Sequence, residues 1–158
     1  MMKFPYRALP LLIMMLAFSP VLHAQEEPET FEQEPCSEEE SRLPENAYTV
    51  GSGDVIFVSG GIGFCEAQEM RRIAPNFQLE LMMVKKTPDY ETYLASIPVV
   101  ITDGKGSSII ETVTKGPFLL ANLPTGRYEI SADYNGEVKS RRVTVSKKHQ
   151  RIVFVWHE

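Results

Sequence analysis

From Tyr128 to Tyr134 every second residue is apolar. Tyr128, Ile130, Ala132 and Tyr134 alternate with Glu129, Ser131 and Asp133, and Asn135-Gly136 follows directly. A period of two puts one set of side chains on one face of a strand. Asn-Gly after such a run predicts a two-residue type I′ hairpin turn. The same pattern recurs along the second half of the chain. Phe77, Leu79, Leu81 and Met83 alternate with Gln78, Glu80 and Met82. Ile97, Val99 and Ile101 make a further strand, in which Pro98 marks either an edge or a strand start. Asp103-Gly104-Lys105-Gly106 turns the chain into Ile109–Thr114, and Lys115-Gly116-Pro117 breaks it before Phe118–Ala121. Val143 and Val145, then Ile152, Phe154 and Trp156, continue the apolar face. Short strands separated by turn signals predict a β-sandwich or barrel. The expected core is Phe77, Leu79, Leu81, Val99, Ile101, Leu120, Tyr128, Ile130, Ala132, Val143, Val145, Phe154 and Trp156. The polar alternates are expected to face water.

Upstream, residues 54–59 read as a short strand, followed by the glycine loop Ser59-Gly60-Gly61-Ile62-Gly63. Phe64–Ile73 has helical composition, with Phe64, Ala67, Met70 and Ala74 as its apolar stripe, and Pro75 stops it. Strand, glycine loop and helix also open a dinucleotide-binding unit. Here Gly60, Gly61 and Gly63 do not make G-x-G-x-x-G, and no alternating strand and helix series follows. There is no G-x-x-x-x-G-K-[ST] run, so no cofactor is expected.

The first 24 residues have the layout of a signal peptide. Lys3 and Arg7 precede an apolar stretch from Ala8 to Phe18, Pro20 breaks it, and Leu22-His23-Ala24 offers a cleavage site. The apolar run is shorter than the roughly 20 residues of a membrane-spanning helix. An uncleaved anchor is the alternative. No second long apolar run follows, so no membrane span is expected after cleavage. The formal net charge is −5, and cleavage removes two positive charges. That acidity argues against nucleic acid as a partner.

Residues 25–47 are crowded with glutamate and are expected to be largely disordered. The remainder divides into a glycine loop and short helix packed on the domain, 48–75, and the sandwich, 76–158. Cys36 and Cys65 are the only cysteines. In an oxidising compartment they are expected to pair, with two free thiols or a redox couple as alternatives. The spacing is not C-x-x-C, which gives a redox role little support.

The run Phe118-Leu119-Leu120, Leu123-Pro124-Thr125-Gly126-Arg127-Tyr128 and Tyr134-Asn135-Gly136 resembles the carboxypeptidase regulatory-like domain. The resemblance extends over about Tyr48 to Trp156. It implies a transthyretin-like or Ig-like antiparallel β-sandwich of about seven strands, here with one short N-terminal α-helix. It also implies a small exported stand-alone member. In carboxypeptidases this domain accompanies the catalytic one and performs no catalysis. The transthyretin-like fold also hosts a ureide hydrolase, but its C-terminal Y-R-G-S is replaced here by Phe154-Val155-Trp156-His157-Glu158.

Catalytic patterns are sparse. After the leader only His149 and His157 remain. There is no H-E-x-x-H and no G-x-S-x-G elbow, so no metal site and no catalytic residue is expected. Arg127, Arg142, Lys147, Lys148 and Arg151 form a candidate interaction surface within a basic second half. The expectation is a periplasmic or secreted, non-enzymatic binding module for an envelope protein, peptide or glycan. A small hydrolase is one alternative, and a cleft setting a histidine against an acid would favour it. A structural or chaperone-like accessory is another, and a long unpaired edge strand would favour that.

Overall fold

The alternating stretches become strands, and the turn signals close them against one another. The computed structural model describes residues 35–43 and 47–158. The leader with its cleavage site and the acidic stretch 25–34 lie outside those residues. The described chain begins with α1 (Glu38–Ser41) and β1 (Tyr48–Val50). A 3-10 turn, Ser52–Asp54, leads to β2 (Ile56–Gly60), α2 (Phe64–Ile73) and a second 3-10 turn, Ala74–Asn76. Then come β3 (Leu79–Lys86), β4 (Glu91–Tyr93), β5 (Pro98–Asp103) and β6 (Ser108–Val113). The last four strands are β7 (Phe118–Ala121), β8 (Gly126–Tyr134), β9 (Glu137–Val145) and β10 (Gln150–His157).

These strands form the expected β-sandwich. One sheet runs β1-β2-β7-β3-β10, with β4 beside β3, and the other runs β6-β5-β8-β9. Among the described residues there are ten strands where about seven were expected, and β10 runs parallel to β3. Pro98 opens β5, which is paired on both sides, so it marks a start and not an edge.

Between the sheets, Leu79, Leu81, Met83, Leu119, Phe154 and Trp156 meet Val99, Ile101, Ile130, Ala132 and Val145. The expected core residues are buried except Val143, which is half-buried at its margin. Leu120 is buried on the other side of its sheet. There Ala67, Met70 and Ile73 of α2 pack on Val58, Met82, Val84, Phe118 and Leu120. The described residues therefore form helix on sheet on sheet. β3 lies at the centre, with Leu79–Val84 buried on both faces. The expectation that Glu80 and Met82 face water fails for that reason: Met82 packs in the cluster with α2, and Glu80 is held against Arg151 and His149.

Two divisions of the chain also differ from expectation. Residues 48–75 are not an appendage, because β1 and β2 extend the larger sheet. Within the acidic stretch, α1 forms with a reciprocal cap: Ser37 Oγ accepts from the Glu40 amide, and Glu40 Oε2 accepts from Ser37 N. Such a cap satisfies donors at the helix start. The Cys36–Cys65 disulfide is formed, with Cα atoms 5.5 Å apart, and ties α1 to the first turn of α2.

The turns follow their sequence signals. Asn135 and Gly136 both take positive φ, 54° and 86°, as a type I′ hairpin requires. The Leu-Pro-Thr-Gly-Arg-Tyr run carries the chain from one sheet to the other. Leu123 is buried, and the Tyr128 hydroxyl donates to the Pro124 carbonyl over 2.8 Å. Burial pushes the Tyr128 phenol up, with a smaller contribution from nearby Asp103.

Candidate functional site

A groove opens where the glycine loop meets the start of α2. It has a volume of about 470 Å³ and is lined by Ile62, Phe64, Ala67, Arg71, Tyr93 and Pro117, among others. Its walls are apolar and yet open to solvent: Ile62 is 61% exposed, Tyr93 55% and Phe64 45%. Large apolar side chains gathered at an open surface mark an interaction site more often than scattered single ones do.

The loop that holds them is fixed by close backbone packing. Gly61 has φ +100°, and a Cβ there would strike the ring of Phe118. A Cβ on Gly116 would strike the Gly60 carbonyl. Ser59 Oγ accepts from the Lys115 amide at 2.9 Å, and Glu66 Oε1 accepts from the Gly61 amide at 3.0 Å. These bonds join the loop to the β6–β7 connection and to α2, so Ile62 projects from a constrained turn. Beside it, the Arg71 guanidinium stands 5.4 Å over the Phe118 ring. Arg71 makes no ion pair among the described residues, leaving one cationic group at an apolar rim.

The five basic residues expected to form a surface are not brought together. Arg127 and Arg142 lie on the outer face of the four-stranded sheet and line an open cleft of about 440 Å³ with Thr102, Asp103, Glu129 and Thr144. Arg142 Nε is 3.6 Å from Glu129 Oε2. Lys147 and Lys148 sit in the exposed turn before β10. Arg151 belongs to the other sheet. The β8–β9 register is continuous, so no bulge occurs near Ser140 and Arg142 points outward. Lys139 and Arg141, opposite Ala132 and Ile130, share the inward face instead. In the cleft, backbone amides of Ser107 and then Lys105 hold the Asp103 carboxyl below the usual carboxylate range.

Glu80 gathers the other notable polar cluster. It is 5% exposed on the helix-side face of β3. Arg151 Nε lies 3.2 Å from its Oε1 and His149 Nε2 3.1 Å from its Oε2. His149 Nδ1 lies 2.8 Å from the Phe77 carbonyl oxygen. Both ring nitrogens thus face acceptors. A general base needs a lone pair within reach of a substrate proton, and neither nitrogen here is free to offer one. Neither Glu80 nor His149 lines any of the open clefts described above.

No protein-family model and no curated protein matches the chain.

Among the described residues, no group of three or more His, Cys, Asp or Glu is arranged to hold a metal ion. No described helix is long and apolar enough to cross a membrane. Periodicity does not single out the groove residues Ile62, Tyr93 and Arg71, and it places Phe64 in the packing stripe of α2. The available signal was Ile62 itself, an isoleucine between glycines in a turn.

Proposed function

We propose that the chain is a periplasmic or secreted binding module without catalytic activity, exported on its leader with cleavage after Ala24. Its groove takes an extended polypeptide segment that places an apolar side chain beside a carboxylate. The observation that carries this reading is the constrained exposure of Ile62, Phe64 and Tyr93 around Arg71. A preformed apolar surface needs little ordering on binding, which favours affinity. Arg71, unpaired among the described residues, supplies orientation toward an anion. The Cys36–Cys65 disulfide supports an oxidising compartment. The sandwich and its Leu-Pro-Thr-Gly-Arg-Tyr crossing support membership of the carboxypeptidase regulatory-like family, whose fold alone does not specify function. The Glu80–His149 contact would have favoured a hydrolase had it lined a cleft. With both imidazole nitrogens engaged, it favours a structural role.

An immobilised random-sequence peptide array tests the reading with the oxidised chain, Ile62→Asp and Arg71→Glu. Enrichment of apolar–acidic peptides by the native chain, lost in Ile62→Asp and shifted away from acidic sequences in Arg71→Glu, is expected. No enrichment, or enrichment unchanged by both variants, overturns it. Binding to phosphatidylglycerol vesicles with no peptide enrichment would instead make the groove a lipid-contacting surface.

A further inference from the structure

Five strands have an unpaired edge among the described residues, and they are protected unequally. β1 and β4 have only three residues each, and short edges offer little to pair with. β6 lies beside the Gly51 turn, where a Cβ on Gly51 would meet the Ile109 carbonyl at 2.6 Å. β9 turns Lys139 and Arg141 toward the space between the sheets, and inward charges oppose strand addition of apolar segments. β10 has none of these devices. It is eight residues long, and Ile152-Val153-Phe154-Val155-Trp156 contains no charge, proline or glycine.

The ladder register says which backbone groups are free. Gln150 N donates to the Gln78 carbonyl and Glu158 N to the Lys86 carbonyl, so even-numbered residues of β10 aim their amides at β3. In a parallel ladder the alternate residues aim theirs the other way. Arg151, Val153, Val155 and His157 therefore present amides and carbonyls along the outer edge, where no described strand pairs with them.

β9 borders this edge. Trp156 Nε1 donates to the Glu137 carbonyl over 2.9 Å, and a short turn joins the two strands. Side chains of an added strand that point between the sheets would meet the face from which Lys139 and Arg141 leave β9. Lys139 pairs with Glu137. Arg141, Lys147 and Lys148 have no carboxylate partner among the described residues. We propose that β10 is a strand-addition edge that accepts an extended acidic segment of a partner protein. Main-chain bonds to Val153 and Val155 would supply affinity, and carboxylates facing Arg141 would supply selectivity. This surface is separate from the groove.

Two synthetic peptides test it, one alternating valine with glutamate and one alternating valine with lysine. The valine–glutamate peptide should slow amide exchange at Val153 and Val155 and should bind more tightly than the lysine peptide. Val155→Pro removes an outward amide without touching the β3 ladder, and should weaken binding by about tenfold. Arg141→Glu should also weaken it, and Val138→Lys on β9 should not. Trp156 fluorescence and circular dichroism check that each variant folds. The proposal is overturned if the lysine peptide binds as well, or if Val155→Pro folds and binds normally. It is also overturned if the Val153 and Val155 amides are already protected in the free monomer, or become protected only as dimers form.

Discussion

Glu80 is buried on β3 with Arg151 Nε and His149 Nε2 against its two oxygens. Removing one partner of a buried ion pair leaves charge uncompensated, whereas replacing the whole set by apolar groups is often neutral or stabilising. Arg151 and His149 are partly open to water, which screens the loss. Arg151→Met or His149→Phe should therefore cost about 1–3 kcal/mol in urea unfolding. The triple change with Glu80→Leu should recover most of that loss. A triple variant weaker than either single one would show that the cluster does more than satisfy itself. Asp103 gives a second prediction. Its Oδ1 accepts from the Lys105 and Ser107 amides at 2.8 and 2.9 Å, which favours the ionised form. A carboxyl depressed in the folded state contributes stability above its unfolded pKa, and that contribution is lost as pH falls through the folded value. Asp103→Ala should thus narrow its stability deficit as the solution is acidified below about pH 4. A deficit constant with pH would mean that the turn does not use the charge.

β3 shows how far period-two alternation can be read. Its sequence, with Glu80 and Met82 between Leu79, Leu81 and Met83, indicates one buried face. What alternation does not carry is a second layer over that strand. The helix over Phe64–Ile73 was legible from composition and Pro75, but where it docks depends on contacts distant in sequence. Phe64 fits the apolar stripe by spacing and still lies open, because the first turn of α2 overhangs the groove. Met82→Ala should consequently cost about 2–5 kcal/mol, as for other buried positions. A loss under about half a kcal/mol would mean that α2 does not cover β3 in solution. The disulfide gives an element-scale prediction of its own. A four-residue helix is far below the length stable in isolation. Reduction should release amide protection in Ser37–Ser41 while leaving β3 and β8 protected. Equal loss throughout would make the bridge essential to the whole fold.

Across the whole molecule, the sandwich, its hairpins and the cysteine pair followed from local signals: alternation, Asn135-Gly136 and the presence of two cysteines only. The interaction surfaces did not. Basic residues close in sequence, such as Arg142 and Arg151, go to different sheets, because the chain crosses between layers at the turn after β9. The groove is assembled from the loop after β2, the end of β4 and Pro117, segments that no short window joins. Its apolar exposure and its rigid glycine support are the basis for reading the chain as a binding module. The most direct measurement is site-specific photo-crosslinking in the compartment where the chain resides. A photoreactive residue would replace Ile62, Phe64 or Tyr93 in turn, with Val113 and Val138 as exposed apolar controls on the other sheet. A binding groove should yield a discrete protein adduct shared by the three groove positions, absent from the controls and abolished by Arg71→Glu. Adducts of equal yield at groove and control positions, or none at the groove, would contradict it.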